Sequence, residues 1–194
     1  MDNIRVRDIA TIGGGRLFSW FTRKRSSADR DRNGQRRLYI PEDIYRRMIL
    51  HCREERPLEA CGLLVGEAGH VVAGYATDNQ HRSPVIYKVD DLQLLEVDRD
   101  IRSERQEIIA IYHSHVVTDP VPSRTDIQQA TWPEAFYVIV SLKERRPRVR
   151  AWRIVDGQVS EHPVVVQRHL TGQWKDLRKA VRQAAESTAE SDIP

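Results

Sequence analysis

The chain is poor in cysteine, in long apolar runs and, outside one segment, in surplus positive charge. Only Cys52 and Cys61 are present among 194 residues. They make neither a metal-binding spacing nor a disulfide framework, so the expected setting is a reducing cytoplasm. No apolar stretch approaches the roughly 20 residues that cross a bilayer. The start, MDNIRVRDIATIGGG, carries charges where a signal peptide needs an apolar core. No internal repeat is visible. The net charge of +3 conceals an imbalance: residues 1–37 hold ten Lys/Arg against four Asp/Glu, leaving the rest at −3. A folded part of that sign offers no cationic face for nucleic acid, and none is expected as a partner.

What is present divides into three segments. Residues 1–37 contain Gly13-Gly14-Gly15, a short apolar piece LFSWF, and then RKRSSADRDRNGQRR. So little apolar surface does not offset the entropy of ordering, and the segment reads as a basic, disordered tail. LFSWF packs on its own domain in the plainer reading, and docks on a membrane surface or partner in the other. Residues 38–166 alternate strand and helix patterns. RLYI reads as a strand. Ile44, Met48, Ile49 and Cys52 mark a helix from Pro41 to about Arg56. EACGLLVGE and HVVAGYATDN pair as antiparallel neighbours, VIYKV is a short strand, and a second helix spans Asp90 to about Arg105. EIIAIYHSH is a strongly apolar strand, Ser123 starts a helix, and AFYVIVSL, RVRAWRIVD and QVSEHPVVV complete a mixed sheet, with Asp156-Gly157 as a hairpin turn. Residues 167–194 read as a C-terminal helix, from Trp174, Leu177 and Val181, with a polar end. The fold class is α/β: one domain with a mixed central sheet flanked by helices.

The chemistry concentrates in two short patterns. His113 and His115 stand two apart at a strand end, so both side chains point to one side, about 6–7 Å apart at the backbone. Alone, an HxH pair is more often two exposed strand-end histidines. Ser123-Arg124-Thr125-Asp126 alone is a helix start, with Ser123 as N-cap. Together they form H-x-H-x7-S-x-x-D, which chance would give in roughly one chain of this composition in a thousand. Two imidazoles and a carboxylate make a common catalytic zinc shell with a fourth position open, and this donor set suits zinc better than magnesium or calcium. Such a site needs a base and an oxyanion donor. Glu59, at the start of a buried strand, is the candidate base, although Glu54, Glu55 and Glu67 compete on sequence grounds; Ser123 is the candidate donor. Cys61 is read as a buried structural thiol. His51, His70, His81, His162 and His169 are read as surface or loop residues.

An early strand Glu followed by H-x-H-x7-S-x-x-D resembles the JAMM (MPN-plus) zinc metallopeptidases. Glu59-Ala-Cys-Gly-Leu-Leu-Val-Gly66, Asn79 with Ser83-Pro84, and Tyr137-Val-Ile-Val-Ser-Leu142 are similar to the small stand-alone bacterial members. The resemblance implies a cytidine-deaminase-like architecture and one zinc ion held by His113, His115 and Asp126. It also implies Glu59 as base, Ser123 stabilising the tetrahedral intermediate, and a ubiquitin-like or sulfur-carrier protein as substrate, cut in its C-terminal tail. One departure is Val116, where members often carry proline; Pro120 and Pro122 would stiffen the loop instead. Two other classes fit less well. One is a non-catalytic MPN-type binding module that has lost its metal. The other is a RadC-like role in DNA metabolism, which shares the motif spacing.

Overall fold

The computed structural model describes residues 35–102 and 106–178; most of the basic segment and Val181 lie outside them. β1 (Leu38–Pro41) leads into α1 (Glu42–Glu54), whose first-turn Glu42 and Asp43 face the positive end of the helix dipole. The Asp43 carboxylate accepts from the Ile44 and Gly172 N–H groups, tying the helix start to a segment 129 residues away. α1 ends at Glu54, short of Pro57, and buries Ile44, Met48 and Cys52 at helical spacing. Each large apolar side chain so buried stabilises by about 1.5–3 kcal/mol.

Among the described residues the sheet contains nine strands. β2 (Cys61–Glu67) and β3 (His70–Thr77) form a hairpin whose Ala68 and Gly69 both take positive φ, as a two-residue turn of matching twist requires. β4 (Glu107–His115) pairs antiparallel with β2 and parallel with β5 (Phe136–Ser141); β6 (Arg148–Val155) and β7 (Gln158–His162) follow antiparallel. The expected Asp156-Gly157 turn joins these last two, with φ of 51° and 77°.

QVSEHPVVV is not one strand. It breaks at Pro163 into β7 and β8 (Val164–Gln167); β7 pairs with β6, while β8 pairs parallel with β1 at the other end of the order β7-β6-β5-β4-β2-β3-β1-β8. One residue spans no more than about 7 Å between its neighbours' Cα atoms, so the sheet must roll until its outer strands meet. The Pro163 carbonyl accepts from Leu38 N at this junction. Proline has no N–H to donate, so the strand changes partners where its own ladder is broken.

Two further expectations are corrected. VIYKV makes only a single bridge, Asn79 to Val89, because the Asn79 side chain captures the Ile86 carbonyl and Lys88 N–H that a ladder would use. Trp174 lies on strand β9 (Gln173–Asp176), not on a helix. β1 touches β3 only at His70, leaving Ala73–Ala76 an open edge that β9 fills in parallel, with the Trp174 ring lying over Gly74. Edge pairing here overrides helical spacing.

One face of the sheet packs on α1 through Leu64, Tyr112, Phe136 and Val138. The other carries Leu63, Tyr75, Ile111, Ile139 and Trp152 beneath Val97 and Ile101 of α2 (Asp91–Arg102). β4 is buried on both faces. Its pairing with β2 shifts by one residue between Leu64 and Val65, so Ile109 is an extra, bulged residue that sets the side-chain alternation of Ala110–His115. No helix among the described residues is long and apolar enough to cross a membrane.

Candidate metal centre

The bulge leaves Ile111, His113 and His115 on the α2 face of β4, and it is here that the strand turns polar. His113 is fully buried and His115 nearly so. Their Nε2 atoms lie 3.1 Å apart. A third group reaches the same point from α3 (Arg124–Gln129): Asp126 Oδ1 is 3.4 Å from His113 Nε2, and Oδ2 is 3.3 Å from His115 Nε2.

Asp126 is delivered by the expected helix start. Ser123 is the N-cap; its hydroxyl accepts from Asp126 N at 3.1 Å, and Asp126 Oδ2 accepts from Ser123 N at 2.6 Å. One carboxylate therefore closes the capping box and faces both imidazoles. Burial works against its charge, but the two histidines and the Ser123 N–H outweigh it and hold the carboxyl far below the ordinary range.

The donor set fits a cation. His115 Nδ1 lies 2.9 Å from the Asp119 carbonyl, which can only accept, so Nδ1 carries the hydrogen and Nε2 presents a lone pair. That lone pair points at a carboxylate oxygen and a second imidazole nitrogen. His113, His115 and Asp126 each offer one ligand atom, all within 4.8 Å of one another, and together they could hold a metal ion. Three protein ligands leave room for a fourth, as in catalytic zinc shells. Burial lowers the proton affinity of His113, despite the hydrogen bond with Asp126; at His115 burial acts the same way but Asp126 and the Asp119 carbonyl prevail and raise it.

Glu59 does not open β2, as expected, but stands two residues before it. Ladder pairs such as Cys61–His113 continue outward through Ser114 N to the Ala60 carbonyl, 3.0 Å. There the ladder ends, because Ala60 N donates to the Ser114 hydroxyl at 2.9 Å instead of to its carbonyl. Extending the same register puts Glu59 opposite His115 and on its face. Glu59 is buried, and its pKa is pushed up to about 7, first by burial; His115 lowers it and Asp126 raises it. The rival carboxylates lie elsewhere: Glu54 and Glu55 pair with Arg178, and Glu67 is exposed at the far end of β2.

The loop after His115 is held by its carbonyls. Val116 O accepts from Arg56 at 3.3 Å, Thr118 O from Ser141 at 2.6 Å, and Pro120 O from the Trp152 indole at 2.9 Å; Lys143 and Arg148 pair with Asp119. Cys61 is a structural thiol as expected, hydrogen-bonded near Thr77 and pushed up to about 12 by burial. His51 is not a surface residue: it is buried against Tyr112. Residues that sequence reasoning missed are Tyr87, whose ring stacks on His113 at 4.2 Å, and Asp119, which acts through a carbonyl that every residue possesses. Tyr87 sat in VIYKV, read as a short strand, with nothing to mark this contact, and there was no signal for the second either.

Comparison with known proteins gives a consistent result. Residues 41–155 match the family described as prokaryotic homologs of the JAB domain. The CysO-cysteine peptidase of Mycobacterium tuberculosis is 40% identical over 136 residues, which span 66% of this chain and 90% of that protein. The desampylase of Haloferax volcanii is 35% identical over 112 residues, 54% of this chain and 81% of its own length. Among solved structures, a protein from Desulfitobacterium hafniense aligns with a TM-score of 0.64 and 28% identity, over 69% of this chain and 94% of that one.

Proposed function

The chain belongs to the family of prokaryotic homologs of the JAB domain, and from that premise we propose that it is a zinc peptidase cutting an amide bond in the C-terminal tail of a ubiquitin-like or sulfur-carrier protein. His113, His115 and Asp126 hold one zinc ion, Glu59 is the base and Ser123 the oxyanion donor. The observation that carries the reading is the convergence of two imidazoles and a buried carboxylate on one point, with a second buried carboxylate in register with His115.

Zinc held by these residues would supply Lewis-acid chemistry toward the scissile carbonyl and would acidify the attacking water. Glu59 takes the proton of that water and returns it to the leaving amine, a task suited to a carboxyl titrating near neutrality. The Ser123 hydroxyl accepts from Asp126 N and, among the described residues, donates to no partner, which leaves its hydrogen for the developing oxyanion. The products are a new carboxylate and a free amine. The names of the relatives, a CysO-cysteine peptidase and a desampylase, point to protein-conjugate substrates.

The test is a ubiquitin-like sulfur carrier extended by one residue beyond Gly-Gly. The wild-type chain should carry about one zinc and release that residue. Glu59→Gln should keep fold and zinc and lose nearly all turnover. A chain without zinc, insensitive to chelators, overturns the reading; a Glu59→Gln variant within about tenfold of wild type gives the base to another residue.

A further inference from the structure

A metal-bound histidine is ordinarily oriented through the ring nitrogen that does not face the metal, by a hydrogen bond to a carbonyl, carboxylate or water. His115 follows that rule through Asp119. His113 does not: it is fully buried, and among the described residues its Nδ1 has no hydrogen-bond partner. What lies against it instead is a flat face, the Tyr87 ring, 4.2 Å away centroid to centroid and inclined by only 17°.

Tyr87 is itself firmly placed. Its loop has no ladder beyond the single Asn79–Val89 bridge, yet the Asn79 side chain uses its full hydrogen-bonding capacity there. Its amide donates to the Ile86 and Glu59 carbonyls, both at 3.0 Å, and its oxygen accepts from the N–H groups of His81 at 3.0 Å and Lys88 at 3.1 Å. The loop also reaches Glu59 from the other side, where Glu59 N donates to the Ser83 carbonyl at 2.8 Å. The segment that carries Tyr87 is thus fastened to the backbone on both sides of the Glu59 side chain.

We propose that Tyr87 is the positioning residue of His113, its stacked ring taking the place of the missing hydrogen bond. No described residue hydrogen-bonds Nδ1, so without a flat neighbour the imidazole is free to turn about its χ2 torsion and swing Nε2 away from the point shared with His115 and Asp126. Offset stacking of this kind resists that turn. The phenol hydroxyl plays no part in this role; the face does. This rests on the reading of His113 as a zinc ligand.

The experiment measures zinc affinity of the full chain by competition with a chromophoric chelator, alongside the melting temperature of the zinc-free protein. Tyr87→Leu should bind zinc at least about tenfold more weakly, the usual cost of losing an outer-shell partner. Tyr87→Phe, which keeps the face, should match the wild type. Should Tyr87→Leu not fold, Tyr87→Met, flexible and without a flat face, takes the same measurement. A Leu or Met variant that melts earlier but binds zinc as the wild type does would make Tyr87 a packing residue only and overturn the proposal. So would a Phe variant as impaired as Leu. A wild-type chain that takes up no zinc sinks the metal reading and this one together, whereas zinc binding unaffected by Tyr87→Leu sinks this one alone.

Discussion

His51 should make the protein weaken with acid in a way that one substitution removes. The side chain is 2% exposed, and its Nδ1 lies 2.7 Å from the Tyr112 hydroxyl. Burial, and after it the nearby Arg178 cation, depress its pKa to about 3; Asp176 opposes them. In the unfolded chain a histidine titrates near 6.5. Between those values the unfolded state holds a proton that the folded state refuses, so stability is full above about pH 6.5 and lost as the pH falls toward 3. The slope approaches about 1.4 kcal/mol per pH unit. From pH 7 to pH 5 the loss integrates to about 2 kcal/mol. His51→Gln keeps a partner for Tyr112 but cannot take a proton. Urea unfolding of both proteins at pH 7 and pH 5, in the same zinc state, isolates the effect, because carboxylates and metal ligands contribute equally to both and cancel. The wild type should lose about 2 kcal/mol more than the variant over that interval. Parallel losses would show that His51 accepts its proton in the folded protein, and would refute the argument from burial.

The remaining expectations concern the metal centre. His113→Ala and Asp126→Ala should each lose the zinc, measured by metal content after gel filtration, and with it the activity. Asp126→Ala should in addition destabilise the metal-free protein, because Ser123 N loses its acceptor. Ser123→Ala should lower turnover by roughly 10²–10³, as for one lost oxyanion donor. It should also cost about 1 kcal/mol of stability as a lost cap, read from the melting temperature beside the rate.

The parts of this molecule that follow local rules were legible in its sequence. Alternation along a strand put His113 and His115 on one side, and a four-residue cap presented Asp126; neither needs knowledge of a distant residue. The proposed base was less legible, because Glu54, Glu55, Glu59 and Glu67 are chemically alike. What separates them is Arg178, more than a hundred residues away, which engages two of them. The strand errors have the same origin. QVSEHPVVV was read as one strand, and only the closing of the sheet makes Pro163 the point where β7 gives way to β8 on the opposite edge. Trp174 fell at helical spacing, but the vacant edge of β3 decided its conformation.

The loop between the two halves of the motif shows why support is harder to read than ligation. The resemblance led us to expect proline after the second histidine, and Val116 with Pro120 and Pro122 was read as an alternative means of stiffening. Proline stiffens by fixing φ and by removing conformations from the unfolded chain. Here the bracing has a different cause: the carbonyls of Val116, Thr118, Asp119 and Pro120 are each taken by a donor, from Arg56, Ser141, His115 and Trp152 respectively. Those donors come from the α1–β2 connection, β5, β4 and β6. A carbonyl is present at every residue, so the sequence of the loop carries no mark of which ones are held. The donors are ordinary core-rim residues when read alone. Substituting Val116 by proline would leave all four carbonyls in place, which is why its absence need not weaken the hold on His115.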